Sequence, residues 1–118
     1  MPSPKIAFRD CVRFHSLTPS LAWMLYCFEK VAREDERKYI ISSVNDSHHL
    51  ENSKHYRDMA FDFFSLDFHS NIEKEELAAK LMEEMNREFP SKFYVLIENI
   101  GRAGEHFHIQ VTKGQIFP

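Results

Sequence analysis

Two stretches of this chain carry apolar residues at the three- and four-residue spacing of a helix face, and this spacing constrains the fold most. After Thr18-Pro19, the first stretch has its apolar positions at Leu21, Met24, Leu25, Phe28, Val31 and Ala32. Threonine suits the N-cap of a helix and proline its first position. The sequence therefore predicts a helix from this point to about Arg37.

The second helical stretch follows Ser70. Glu73 stands three residues after this serine, which is the spacing of a capping box. Its apolar face is formed by Ala78, Leu81, Met82, Met85 and Phe89, and Pro90 then stops the helix. The sequence predicts a second helix from Ser70 to about Phe89.

Strand-length apolar runs account for the rest of the pattern. They are Tyr39–Ile41, Met59–Leu66, Phe93–Ile97 and Phe107–Val111, the last two joined by a turn with Gly101 and Gly104. Helices and strands in this order predict an α+β fold. We expect a small, largely antiparallel sheet with the two main helices packed on one of its faces.

Composition limits the class of protein. The chain has 118 residues, 43% of them hydrophobic, which predicts one domain spanning 1–118. Its net charge of −3, with both signs interspersed, argues against nucleic acid as a partner, because phosphate-binding domains carry a basic stripe. No run resembles a signal peptide or a membrane span, so we expect a cytoplasmic protein as synthesised. Cys27 is expected to be a buried free thiol, although a disulfide with Cys11 stays open.

Several of the seven histidines have a setting that suits metal binding. His106 and His108 are two residues apart in a predicted strand and therefore point to the same face, a common way to present nitrogen to zinc. Asp62 has phenylalanine on both sides, so its carboxylate must either face solvent or be paired, and a metal ion is one such partner. Three other histidines are expected to be solvated: His48, His49 and His69.

Two segments resemble a known family of enzymes. Residues 53–62, Ser-Lys-His-Tyr-Arg-Asp-Met-Ala-Phe-Asp, resemble the S-x-H-x-x-G-x-A-x-D motif of the zinc D-alanyl-D-alanine carboxypeptidases. Residues 105–111, Glu-His-Phe-His-Ile-Gln-Val, look like the second motif of that family, in which a Glu or His precedes the last ligand histidine. The family includes phage lysins that cut the L-alanyl-D-glutamate bond and is related to the hedgehog domain. The resemblance covers roughly residues 39–111.

The resemblance implies a zinc site and a reaction. It implies that His55, Asp62 and His108 bind Zn²⁺, and that the fold is like that of hedgehog and the DD-peptidases. Three protein ligands leave an open position for water, as in catalytic zinc sites. Glu105 and His106 compete for the role of proton acceptor; Glu105 is favoured if it lies in the turn rather than in the strand. The implied substrates are peptidoglycan stem or cross-link peptides.

The sequence departs from the family pattern at two points. Asp58 stands where the motif has glycine, and residues 42–46 lack the arginine that the family often has before the first motif. Arg57 or Arg102 could supply that cation to the substrate.

These departures leave three functional hypotheses. The first is an active zinc metallopeptidase that acts on the cell wall, either a phage endolysin or a peptidase that recycles wall fragments. The second is a zinc-binding structural or binding module that has lost catalysis. The third is a metal-free α+β domain in which the histidine pairs are coincidental. The sequence leaves open which bond is cut and what the oligomeric state is.

Overall fold

The computed structural model describes residues 5–9, 19–44 and 60–111, and these contain two helices and five strands. The α+β prediction is therefore confirmed. In chain order the elements are β1 (Lys5–Phe8), α1 (Pro19–Arg33), β2 (Lys38–Ser43), β3 (Ala60–Phe64), α2 (Asn71–Asn86), β4 (Phe93–Glu98) and β5 (His106–Val111).

The five strands form one mixed sheet in the order β1-β2-β3-β5-β4. The pairs β2–β3, β3–β5 and β5–β4 are antiparallel, whereas β1 and β2 are parallel. The strand at Lys5–Phe8 was not predicted, because a run of four residues shows too little alternation of apolar and polar positions to indicate a strand. This strand makes the sheet mixed.

The core lies between the two helices and one face of the sheet. In β2, β3, β4 and β5, alternate side chains point into it, as the period of two in a strand requires. In β5, Phe107, Ile109 and Val111 are buried, and the Phe63 ring of β3 stacks on Phe107 with centroids 4.7 Å apart. From α1, Phe28 packs against Phe63 at 4.5 Å. The opposite face of the sheet carries the remaining side chains and is called the outer face below.

The ends of the helices follow local chemistry. At the start of α2, Ser70 Oγ accepts a hydrogen bond from the Glu73 N–H (3.3 Å), as the capping box predicted. Glu73 reaches back to the N–H of His69 rather than to that of Ser70. The first helix ends at Arg33, four residues before the predicted end. Beyond it, Arg37 bridges Asp35 and Glu73 at 2.7 Å each, so this charged segment ties α1 to α2 instead of extending α1.

Cys27 is buried in α1 and is a free thiol, as expected, and its burial raises the pKa of this thiol to about 12. Cys11 lies outside the described residues. Neither helix is long and apolar enough to cross a membrane.

Candidate functional site

Asp62 and His108 lie side by side on the outer face of the sheet. They are direct partners in the antiparallel register of β3 and β5, although 46 positions separate them in sequence. Phe61 and Phe63 point into the core, so the residue between them must point outward. Of the two alternatives for the Asp62 carboxylate, solvent or a partner, the structure shows a partner: Asp62 Oδ1 is 2.7 Å from His108 Nδ1.

The other ring nitrogen of His108 also has a partner. His108 Nε2 is 2.6 Å from Oε1 of Gln110, which follows two positions later on the same face. Burial of the ring lowers the pKa of His108, but the hydrogen bonds with Asp62 and Gln110 together outweigh burial and leave the pKa above its ordinary value. Both ring nitrogens face oxygen acceptors, and this arrangement fixes the orientation of the ring.

A second histidine and a second carboxylate complete the group. His106 Nε2 is 3.4 Å from Glu98 Oε1 and 3.9 Å from Asp62 Oδ2. Its other nitrogen, Nδ1, is 2.8 Å from the carbonyl oxygen of Gly104. We call Asp62, Glu98, His106 and His108 the outer-face cluster. It combines two imidazoles with two carboxylates on neighbouring strands, and His106 and His108 share one face of β5, as their spacing predicted.

Glu105 immediately precedes β5 and belongs to the turn, since its N–H donates to the Arg102 carbonyl oxygen (3.2 Å). Its carboxylate Oε2 accepts hydrogen bonds from the Lys74 ammonium (2.7 Å) and from the Gly101 N–H (2.6 Å). Burial raises the pKa of Glu105, but these two donors outweigh burial and hold the pKa below its ordinary value. Glu105 is therefore ionised at neutral pH, with its charge directed at Lys74 of α2.

An open cleft of about 780 Å³ adjoins the outer-face cluster. Asp62 and His106 line it, and so do Glu105 and Arg102 of the turn before β5. Positive φ angles at Asn99, Gly101 and Gly104 give this turn its shape. The structure thus brings four of the predicted site residues to one cleft: Asp62, Arg102, Glu105 and His106.

Two of the predicted site residues, His55 and Arg57, lie outside the described residues. Within residues 5–9, 19–44 and 60–111, no three His, Cys, Asp or Glu side chains are grouped so as to hold a metal ion. Asp62 and His108 offer two donor atoms 2.7 Å apart. Two ligands on one tetrahedral zinc are about 3.3 Å apart, so these donors would need to separate by about half an ångström. They suit two positions of the predicted three-ligand site.

Three neighbours of this site were not identified from the sequence: Arg9, Lys74 and Gln110. The signal for Gln110 was available, because it extends the two-residue spacing of His106 and His108 along one strand face. No sequence signal links Lys74 to Glu105, since the two are 31 residues apart on different elements.

Comparisons with known proteins add nothing to this geometry. The sequence matches no model of a known protein family, and it matches no curated protein.

Proposed function

We propose that this protein is a zinc-dependent hydrolase that cleaves D-amino-acid-containing peptide bonds of peptidoglycan. The observation that carries the proposal is the contact between Asp62 and His108. The two residues come from two separate sequence motifs, and the resemblance implies that both bind the same metal ion. Their side chains meet on the outer face of the sheet with donor atoms 2.7 Å apart, so that a separation of about half an ångström would let both bind one metal ion. A hedgehog-like and DD-peptidase-like fold forms part of the same proposal.

Asp62 and His108 would hold the zinc ion together with His55. The bound metal would supply a water molecule whose pKa is lowered to roughly 7. Gln110 Oε1 accepts a hydrogen bond from the Nε2–H of His108, and this bond directs Nδ1 of the ring towards Asp62 and the metal position. This second partner supports a ligand role, because ligand histidines use their other nitrogen in such a bond.

Glu105 and His106 are the candidates for proton transfer. Glu105 lies in the turn, which is the condition under which it was favoured, and its lowered pKa keeps it in the form that accepts a proton. To reach the water it must move away from Lys74. His106 already faces Asp62 Oδ2 at 3.9 Å and is placed to donate a hydrogen bond to the charge that develops on the substrate oxygen.

The cleft suits an elongated polar ligand such as a stem or cross-link peptide. It is open, its lining includes ionisable groups of both signs, and two residues of the outer-face cluster, Asp62 and His106, contribute to that lining. Carboxypeptidase action at D-alanyl-D-alanine and endopeptidase action at L-alanyl-D-glutamate both fit, as do a phage endolysin and a recycling peptidase.

A zinc-binding module without catalysis is the second candidate. One contact favours it: Lys74 holds the carboxylate of Glu105 in an ion pair with both side chains largely buried. In this arrangement the favoured proton acceptor stays bound to α2, and the zinc site serves stability or binding alone.

Metal content and hydrolysis test the proposal together. Purified without chelator, the protein should carry about one zinc ion per chain by mass spectrometry, as a three-ligand site requires. Asp62→Ala, His108→Ala and His55→Ala should each release it. His69→Ala is the matched control, because His69 is exposed and lies outside the cluster. Full zinc retention in all three ligand variants would refute the site.

Turnover separates the two candidates. Glu105→Gln should keep zinc and lose most hydrolysis of peptidoglycan peptides, because the substitution removes a proton acceptor and preserves shape. His106→Ala should keep zinc with a smaller or comparable loss. A zinc-loaded wild type that cleaves neither a D-alanyl-D-alanine nor an L-alanyl-D-glutamate peptide would establish the non-catalytic module instead.

A further inference from the structure

Ion pairing divides the described arginines into two groups. Arg33, Arg37 and Arg87 each pair with carboxylates of neighbouring residues. Within the described residues, Arg9 and Arg102 make no ion pair, although the chain has more acidic than basic residues. Both of these arginines line the cleft that adjoins the outer-face cluster. The cleft is therefore lined by two arginines that have no carboxylate partner among the described residues.

Arg9 is held at the cleft by its backbone and by an aromatic ring. Its N–H donates to the Ile41 carbonyl oxygen at 3.0 Å, which continues the pairing of β1 with β2. Its guanidinium lies over the Phe64 ring, 5.5 Å from the centroid. Phe64 follows Asp62 by two residues and so lies on the same face of β3. The ring positions the guanidinium without accepting its N–H donors, and within the described residues no carboxylate pairs with this donor fork, which can therefore bind a ligand.

Arg102 lies in the turn between β4 and β5, whereas Arg9 follows β1 at the other edge of the sheet. The N–H of Arg102 donates to the Asn99 carbonyl oxygen at 2.9 Å, and its carbonyl oxygen accepts from Glu105. These bonds fix the backbone of Arg102 close to Glu105 and His106, which line the same cleft.

We propose that Arg9 and Arg102 together bind a carboxylate of the substrate, on the residue whose nitrogen is released. This inference rests on the proposed function and specifies its substrates. In a peptide that ends in D-alanyl-D-alanine, the carbon attached to the scissile nitrogen bears a free carboxylate. The same is true of an L-alanyl-D-glutamate bond when the D-glutamate is linked to the next residue through its side chain. Hydrolysis adds hydroxyl to the carbonyl carbon and a proton to that nitrogen, and the carboxylate leaves with the amine. Planar carboxylates are the ligands that guanidinium forks match.

Kinetics with paired substrates test the assignment. One peptide ends in D-alanyl-D-alanine, and the other ends in D-alanyl-D-alaninamide. In the zinc-loaded full chain, Arg9→Gln and Arg102→Gln should each raise KM for the carboxylate peptide about tenfold or more, because each variant loses a hydrogen bond to a charged group. The change in kcat should be smaller than the change in KM. Neither variant should change KM for the amide peptide. Arg9→Lys should show an intermediate effect, since it keeps the charge and loses the fork.

Arg33→Gln is the control, because Arg33 pairs with Glu29 on α1, away from the cleft. Equal changes with Arg33→Gln, or equal changes for the carboxylate and amide peptides, would overturn the assignment while leaving the hydrolase proposal intact.

A binding measurement keeps the test independent of catalysis. N-acetyl-D-alanine and N-acetyl-D-alaninamide are titrated into the full chain with chelator present, and the arginine side-chain Nε–H signals are followed by NMR. The carboxylate ligand should shift the signals of Arg9 and Arg102, and the amide should not. This result would support the carboxylate site even if no peptide is cleaved. Unshifted signals with the carboxylate ligand would refute the site whatever the enzyme cleaves.

Discussion

The ion pair between Lys74 and Glu105 leads to a specific prediction about the stability of the protein. The substitution Lys74→Met tests this prediction. Lys74 Nζ is 2.7 Å from Glu105 Oε2, and the two side chains are only 13% and 19% exposed. Methionine keeps the length of the apolar stem and removes the charge. The substitution leaves Glu105 with the Gly101 N–H as its remaining donor among the contacts described above.

The magnitude follows from the burial of this pair. A hydrogen bond to a charged group contributes about 1.5–3 kcal/mol, and little solvent screening applies at this exposure. We therefore expect Lys74→Met to lower the free energy of unfolding by about 1.5–3 kcal/mol at pH 7. The pKa of Glu105 is lowered in the folded protein, so the stabilisation is present above the ordinary glutamate pKa of about 4.3 and is lost as the pH falls through the folded value. The difference between variant and wild type should shrink towards pH 3.

Urea unfolding of both proteins at pH 7 and pH 3 measures this difference. Lys80→Met is the matched control, because Lys80 is also in α2 but pairs with Glu34 at 3.5 Å, with both side chains more than half exposed. Its loss should stay below about 1 kcal/mol. Equal losses for the two variants, or a Lys74→Met loss that does not change with pH, would refute the reasoning. If Glu105 accepts a proton in catalysis, Lys74→Met should also move the acidic limb of the activity profile to higher pH, since removing the ammonium raises the pKa of Glu105.

Two further predictions concern the outer face and the core. Gln110→Leu should weaken zinc binding about 10- to 100-fold in a chelator competition, because His108 Nε2 loses its hydrogen-bond acceptor. Gln110→Glu keeps an acceptor at this position and should retain the affinity for zinc. Equal zinc affinities of the two variants would contradict this role of Gln110. Phe63→Ala should lower the free energy of unfolding, measured in urea, by about 3–5 kcal/mol, because Phe63 is fully buried. Leu66 is 84% exposed, so Leu66→Ala should change this free energy by less than about 0.5 kcal/mol. Similar losses of stability at both positions would contradict the assigned core.

Local patterns were sufficient for most of the secondary structure. The helical spacing from Leu21 onward and the serine cap at Ser70 placed both helices, because such contacts join residues three or four apart. The predicted end of α1 was wrong by four residues, since the charged segment that follows is used to bridge the two helices. The strand β1 pairs with residues of β2 that are more than thirty positions away in the sequence, and no pattern among neighbouring residues indicates this pairing.

The candidate site was only partly accessible from the sequence. The motifs identified Asp62 and His108 and could pair them only by resemblance. Their contact depends on β3 lying beside β5 in one register, which the packing of the whole sheet decides. A shift of one residue in β3 would turn Asp62 into the core, so burial of Phe61 and Phe63 fixes the carboxylate on the outer face. The sequence determined which residues are chemically able to act, and the tertiary structure decided which of them meet, because residues distant in sequence come together only when the core is packed.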